Sequence, residues 1–195
     1  MKLVWPARDY LPGYVDALER GWSPDNLLGD IGRLHQLERI AANPDRFLGS
    51  LVDRHANGDP ITLPDGSTVP RLPGYQRWIW DGEFCGRIGF RWQPGTEALP
   101  PHCLGHIGYA VVPWKRRRGY ATRALRELLP EARAEGLRYV VISMNRENLA
   151  SRKVVEANGG IFVDEYVTPP ALGGMHDFRY RIYLTDARDV PACAP

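Results

Sequence analysis

The run His106-Ile107-Gly108-Tyr109-Ala110-Val111-Val112-Pro113-Trp114-Lys115-Arg116-Arg117-Arg118-Gly119-Tyr120-Ala121 restricts the fold more than any other part of the chain. Its apolar first half reads as a strand over 106–112 that Pro113 ends, since proline has no amide to offer a neighbouring strand. After the arginines and Gly119, residues Ala121, Ala124, Leu125, Leu128 and Ala132 recur at helical spacing, and 139–144 is a second buried strand. Strand, helix and strand in this order predict an α/β fold with helices covering a sheet. The same order aims unpaired backbone N–H groups and the positive end of a helix dipole at one point, where a pyrophosphate can be held. Gly119 lets the backbone approach closely, and the small Ala121 leaves room. Lys115 to Arg118 alone would equally suit a solvated turn or a nucleic-acid patch, and the flanking strand and helix favour the phosphate loop.

Upstream, helices are expected over 11–19, 31–41 and 44–57, the last with Asn43 as N-cap and Pro44 at its first position. Asn57-Gly58-Asp59-Pro60 and Pro64-Asp65-Gly66 mark turns around a short extended piece, 61–63. From Tyr75 the pattern alternates through Trp78 and Trp80, turns at Asp81-Gly82 and continues over 84–92, which reads as an antiparallel hairpin. A Pro-rich loop, 94–104, follows. Pro130 predicts a kink or break near Leu129 in the helix after Gly119. A helix over 149–157 stops at Asn158-Gly159-Gly160, and strands over 161–167 and 178–184 form a late antiparallel pair. The chain divides into an N-terminal helical region, 1–74, and a core, 75–195, within one continuous domain.

The 195 residues and net charge of +2 suit one globular domain and give no support to a dedicated nucleic-acid binder. Cys85, Cys103 and Cys193 lack the spacing of a disulfide framework or zinc knuckle, and no metal is expected. No stretch is long and apolar enough for a membrane span, and the N-terminus lacks the apolar run of a signal peptide; the expectation is a cytoplasmic protein without a membrane partner.

The pattern R-x-x-G-x-A from Arg116 to Ala121, after Val111-Val112-Pro113, resembles the acetyl-CoA signature of the GNAT acetyltransferase superfamily. Asn148-Leu149-Ala150-Ser151 and the helix after it resemble that family's N-x-x-S element, and the order of elements agrees over 75–184. Gly105-His106-Ile107-Gly108-Tyr109 and Glu156-Ala157-Asn158-Gly159-Gly160 look like a group of uncharacterised predicted acetyltransferases, which implies no substrate. The resemblance implies a mixed, mostly antiparallel twisted sheet with helices on both faces, splayed between two central parallel strands, 106–112 and 139–144. It implies acetyl-CoA as co-substrate, with the pantetheine arm on the backbone of Ala110, Val111 and Val112. The amides of Arg117, Arg118, Gly119, Tyr120 and Ala121 would take the pyrophosphate, Arg116 or Lys115 the nucleotide end, and Asn148 and Ser151 would lie near the pantetheine.

Direct transfer to a primary amine in a ternary complex is the implied reaction, with a small molecule or a peptide as acceptor. The alternatives are a protein N-terminus or lysine, or a non-catalytic CoA-binding regulatory module, and a homodimer is left open. For the base, His106 stands first, because its ordinary pKa near ~6.5 suits proton uptake around neutrality; Glu83 and His102 are weaker candidates, and the family often uses a carboxylate nearby. Many members carry a tyrosine four residues after the N-x-x-S serine, where this chain has Val155. Ser151, or a water held by Asn148, is then the group to meet the departing sulfur, ahead of Tyr109 or Tyr166. Helix capping is the structural alternative for Asn148 and Ser151. Trp78, Trp80 and Trp92 are expected in the core rather than in an acceptor pocket, and Arg77 or Arg91 is a candidate for binding a substrate carboxylate.

Overall fold

The computed structural model describes residues 1–25, 28–63 and 65–184; Cys193, the end of the 75–195 region and Pro64 of the second turn lie outside them. The chain opens with a strand, β1 (Lys2–Val4), followed by α1 (Leu11–Glu19), α2 (Gly29–Ala42) and α3 (Pro44–Ser50). Short strands β2 (Val52–Asp53), β3 (Ile61–Thr62) and β4 (Thr68–Val69) lead into β5 (Gly74–Trp80) and β6 (Phe84–Arg91). Then come β7 (Ile107–Val111), α4 (Tyr120–Ala134), β8 (Tyr139–Asn145), α5 (Leu149–Glu156), β9 (Ile161–Val167) and β10 (His176–Tyr183). No helix among the described residues is long and apolar enough to cross a membrane.

The strands form two half-sheets, one in the order β1-β5-β6-β7 with β2 also on β5, the other β8-β10-β9. All pairings within them are antiparallel. The strands β7 and β8, expected as the central parallel pair, are joined through α4 but share no ladder. They touch at one point: His106 donates its backbone N–H to the Val141 carbonyl at 2.8 Å, and Ser143 donates its hydroxyl to the Leu104 carbonyl at 2.5 Å. A gap between the half-sheets is the result.

Period-two alternation places the first half-sheet between two cores. Tyr75, Ile79, Ile88, Phe90 and Ile107 pack on one face with Ala124, Leu125, Leu128 and Ala132 of α4. Trp78, Phe84 and Val112 pack on the other with Tyr14, Leu18 and Phe47 from the N-terminal helices. Trp78 and Trp92 are therefore core residues, in different cores, and Trp78 stacks on Tyr14 with centroids 4.7 Å apart.

The structure adds the unexpected strands β1 and β4, shortens α3 and shows no break at Pro130. The N-terminal tripeptide is a strand because it finds an edge on β5, pairing Lys2 with Trp80. Helix α3 is capped by Asn43 as expected, its side chain accepting the Arg46 N–H at 2.9 Å, but stops at Ser50, where the chain turns into β2. Residues 68–69 form β4, which pairs with β3. Helix α4 runs unbroken through Pro130. Pro130 and Arg126, the residue four positions earlier, are both exposed, so the carbonyl that loses its helical donor can bond to water.

Candidate active site

At the end of β7 the chain makes a short turn, Pro113–Lys115, and two left-handed residues follow, Arg117 at φ +59° and Gly119 at φ +73°. Helix α4 begins directly after Gly119, and its first bond runs from the Arg123 N–H to the Gly119 carbonyl at 3.0 Å. The amides of Arg117, Arg118, Gly119, Tyr120 and Ala121 have no acceptor among the described residues, and the first turn of α4 carries no acidic residue. Left-handed residues turn successive amides to one side, and the helix dipole adds positive potential there, so the loop is an open anion cradle. Nothing stands within 4 Å of where a Cβ at Gly119 would lie, and Arg116, Arg117 and Arg118 are exposed around it.

Lys115 does not join this cradle. Its ammonium lies 3.1 Å from Asp81 and 2.8 Å from Glu83, which turns it towards the β5–β6 turn. The Tyr120 hydroxyl also donates to Asp81. Burial opposes ionisation of Asp81, but hydrogen bonds from Tyr120, Cys85 and Lys115 hold its carboxyl well below the usual range. Burial, then Asp81, push the Cys85 thiol up to about 12, which makes it a poor nucleophile. Arg116 is held by a bond from its Nε to the Val111 carbonyl at 3.2 Å.

One edge of β7 faces β6 and the other faces the gap. The Val112 amide donates to Cys85 and the His106 carbonyl accepts from Arg91, so by alternation Ala110 also bonds towards β6. The peptide groups of Tyr109 and Val111 then point into the gap. Of Ala110, Val111 and Val112, only Val111 turns its backbone to the gap, where its carbonyl accepts from the Arg116 Nε.

Across the gap, Asn148 caps α5, its side chain accepting the Ser151 N–H at 3.0 Å. The Tyr109 hydroxyl lies 2.8 Å from the Ser151 Oγ and also donates to the Ser151 carbonyl at 3.2 Å. Burial pushes the Tyr109 hydroxyl up to about 12, so it stays protonated at neutral pH. Val155 is fully buried in the core. The structure thus supplies a tyrosine hydroxyl at the start of α5 from β7 rather than from α5 itself.

His106 has the opposite character. It is fully buried, and its Nδ1 accepts the Val141 N–H at 2.9 Å. A backbone amide can only donate, so the neutral ring carries its proton on Nε2, which has no partner among the described residues. Burial, then Arg91, push its pKa down to about 4. The imidazole clips β8 to β7 where the gap begins, and its one free lone pair is occupied.

Other candidates separate. Glu83 is tied to Lys115, Arg179 lies over the Tyr166 ring, and Arg77 is occupied by Glu131 at 2.7 Å, the Leu3 carbonyl and the Trp5 ring. Arg91 and His102 line a cavity of about 330 Å³ on the face of the first half-sheet away from α4. Gly89 and Gly108, cross-strand neighbours, contribute to its lining from the sheet. Strand glycines mark close approach of a ligand or chain, the one sequence signal that points to this surface. Asp177, at the start of β10 opposite Asn145, escaped sequence reasoning altogether. It is 8% exposed, forms no ion pair among the described residues, and burial raises its pKa. Phe178 and Tyr180 point to the core with α5, so alternation puts Asp177 on the opposite face.

Residues 66–161 match the family model of the acetyltransferase (GNAT) domain. That stretch of the chain is a GNAT acetyltransferase domain. Among solved structures, the RimL ribosomal L7/L12 alpha-N-protein acetyltransferase in complex with coenzyme A is 16% identical over 93% of this chain and 92% of that one, with a TM-score of 0.58. The microcin C7 self-immunity acetyltransferase MccE, in complex with acetyl-CoA and AMP, is 13% identical over 93% and 91%, with a TM-score of 0.56. A probable acetyltransferase is 24% identical, but the chain spans only 64% of its length, with a TM-score of 0.46. Among curated proteins none matches. At these identities the structures show the GNAT fold alone.

Proposed function

We propose that the protein moves an acetyl group from acetyl-CoA directly to the nitrogen of a primary amine. The observation that carries this reading is the row of unpaired amides from Arg117 to Ala121, open to an anion beside the gap between β7 and β8. In this reading the pyrophosphate sits on those amides, with Arg116 to Arg118 around it, and the pantetheine arm pairs with Val111 along the free edge of β7. The thioester reaches the gap between the half-sheets, and the amine comes from the cavity face, over Gly108.

The amine nitrogen forms a bond to the thioester carbonyl carbon, and the carbon–sulfur bond breaks. The thiolate takes its proton from the Tyr109 hydroxyl, and the Ser151 hydroxyl 2.8 Å away donates a hydrogen bond to the phenolate left behind, which regains its proton from solvent as CoA leaves. In this reading the proton lost by the amine passes to Asp177, directly or through water, because Asp177 lies on the face of its half-sheet away from α5 and burial raises its proton affinity. His106 serves as the clip that sets the gap, not as the base.

Release of free CoA thiol, followed across a panel of amines including peptides with free N-termini, tests the reaction. Tyr109→Phe is expected to lower kcat about ten-fold, less than the ~100-fold typical of a lost general acid because Ser151 remains. Tyr109→Phe with Ser151→Ala should lose more than either alone. Coenzyme binding with no transfer to any amine would leave a CoA-binding module in its place.

A further inference from the structure

The cavity on the acceptor face has a charge that the transfer chemistry does not require. Arg87, Gly89 and Arg91 are alternate residues on one face of β6, so the two guanidinium groups flank the glycine from either side. Both arginines line the cavity. Arg87 is half-buried and is held by the Pro24 carbonyl, while Arg91 donates from Nε to the Gly105 carbonyl at 2.8 Å. Asp25, which also lines the cavity, offsets part of the Arg87 charge, and Arg91 is exposed at the cavity. Burial lowers the Arg87 pKa, and Arg91 adds to that. Arg71 and Asp53, also on the cavity, lie 3.8 Å apart and offset one another. Two further polar atoms on the cavity residues, Gln76 Oε1 and His102 Nε2, are buried with no hydrogen-bond partner among the described residues.

The cavity lining carries three arginines, Arg71, Arg87 and Arg91, against two carboxylates, Asp25 and Asp53, an excess of positive charge that a bound anion offsets through charge-assisted hydrogen bonds. We infer that the acceptor amine carries an oxyanion group, a carboxylate or a phosphate, which Arg87 and Arg91 hold while the nitrogen lies over Gly108. Gly108 pairs with Gly89 on the adjacent strand, and strands are about 5 Å apart, so amine and anion are separated by only a few bonds. Short amino acids and aminoalkyl phosphates meet that spacing; long polyamines do not. This inference rests on the acetyl-transfer reading above.

The test uses matched acceptors with the full chain and acetyl-CoA: free amino acids, their carboxamides, the corresponding decarboxylated amines, and O-phosphoethanolamine against ethanolamine. An anionic member is expected to exceed its neutral partner in kcat/KM by about ten-fold or more, the scale of one charge-assisted hydrogen bond. Preference within the carboxylate pairs or the phosphate pair identifies which anion is used. Arg91→Gln should bring that ratio towards one, and Arg91→Lys should restore part of it, with the change falling on KM. Arg87→Gln is read in parallel, with circular dichroism checking that it folds. Calorimetry with CoA accompanies each protein. Neutral amines acetylated as well as anionic ones, or no anionic amine acetylated by a protein that binds CoA, overturns the inference and leaves the coenzyme site standing. Failure to bind CoA removes the transfer reading itself.

Discussion

Gly119→Glu is expected to abolish measurable coenzyme binding, a loss of at least about 1,000-fold in affinity, while the protein remains folded. Gly119 adopts φ +73°, a left-handed conformation that costs an L-residue roughly 1 kcal/mol. A Cβ there meets nothing within 4 Å, so the substitution starts in open space rather than in the packing of α4 against β6 and β7. The carboxylate instead enters the cradle formed by the amides of Arg117 to Ala121, satisfies it internally and repels the pyrophosphate. Gly119→Ala separates the two effects, since it adds the backbone strain without the charge, and should cost no more than about ten-fold. Calorimetric titration with CoA, alongside thermal unfolding, is the measurement. Unchanged affinity in the glutamate variant would mean that the phosphates bind elsewhere.

The second large effect distinguishes Asp177 from His106. Asp177→Asn should lower kcat by roughly 100-fold with coenzyme affinity retained, because a general base commonly contributes that much. In the parent protein, activity should rise with pH through an ionisation above the usual carboxylate range, following the burial of Asp177. His106→Ala should act first on stability, by about 3 kcal/mol, since it empties a fully buried site and strands the Val141 N–H. His106→Asn can place an amide oxygen near the position of Nδ1, and should recover part of that loss and most of the transfer rate. If instead both His106 variants fold yet are as inactive as Asp177→Asn, the imidazole is the base after all.

His106 also predicts a pH dependence of folding. Its pKa falls from about 6.5 when unfolded to about 4 when folded, so between these values the unfolded chain binds more protons. Its contribution is complete above pH ~6.5 and is lost as pH drops towards ~4, on the order of 3 kcal/mol in total. Denaturant unfolding across that range should show the slope in the parent protein and a smaller one in His106→Asn.

The sequence by itself determined the features that depend on neighbours along the chain. The left-handed basic turn before α4, the Asn43 and Asn148 caps, the β5–β6 hairpin and the strand–helix–strand order all follow from spacing, turn residues and missing proline amides. Only the tertiary structure decided which side chains face one another. His106 meets Val141 35 positions away, and Tyr109 meets Ser151 42 positions away. Both contacts depend on how two half-sheets without a common ladder are set against each other, and no local periodicity records that. A one-residue difference in register would turn each of these side chains to the opposite face. The same dependence hid Asp177 and the Gly89–Gly108 floor. Burial, which raises the proton affinity of one group and lowers that of another, is created when distant segments close over a site.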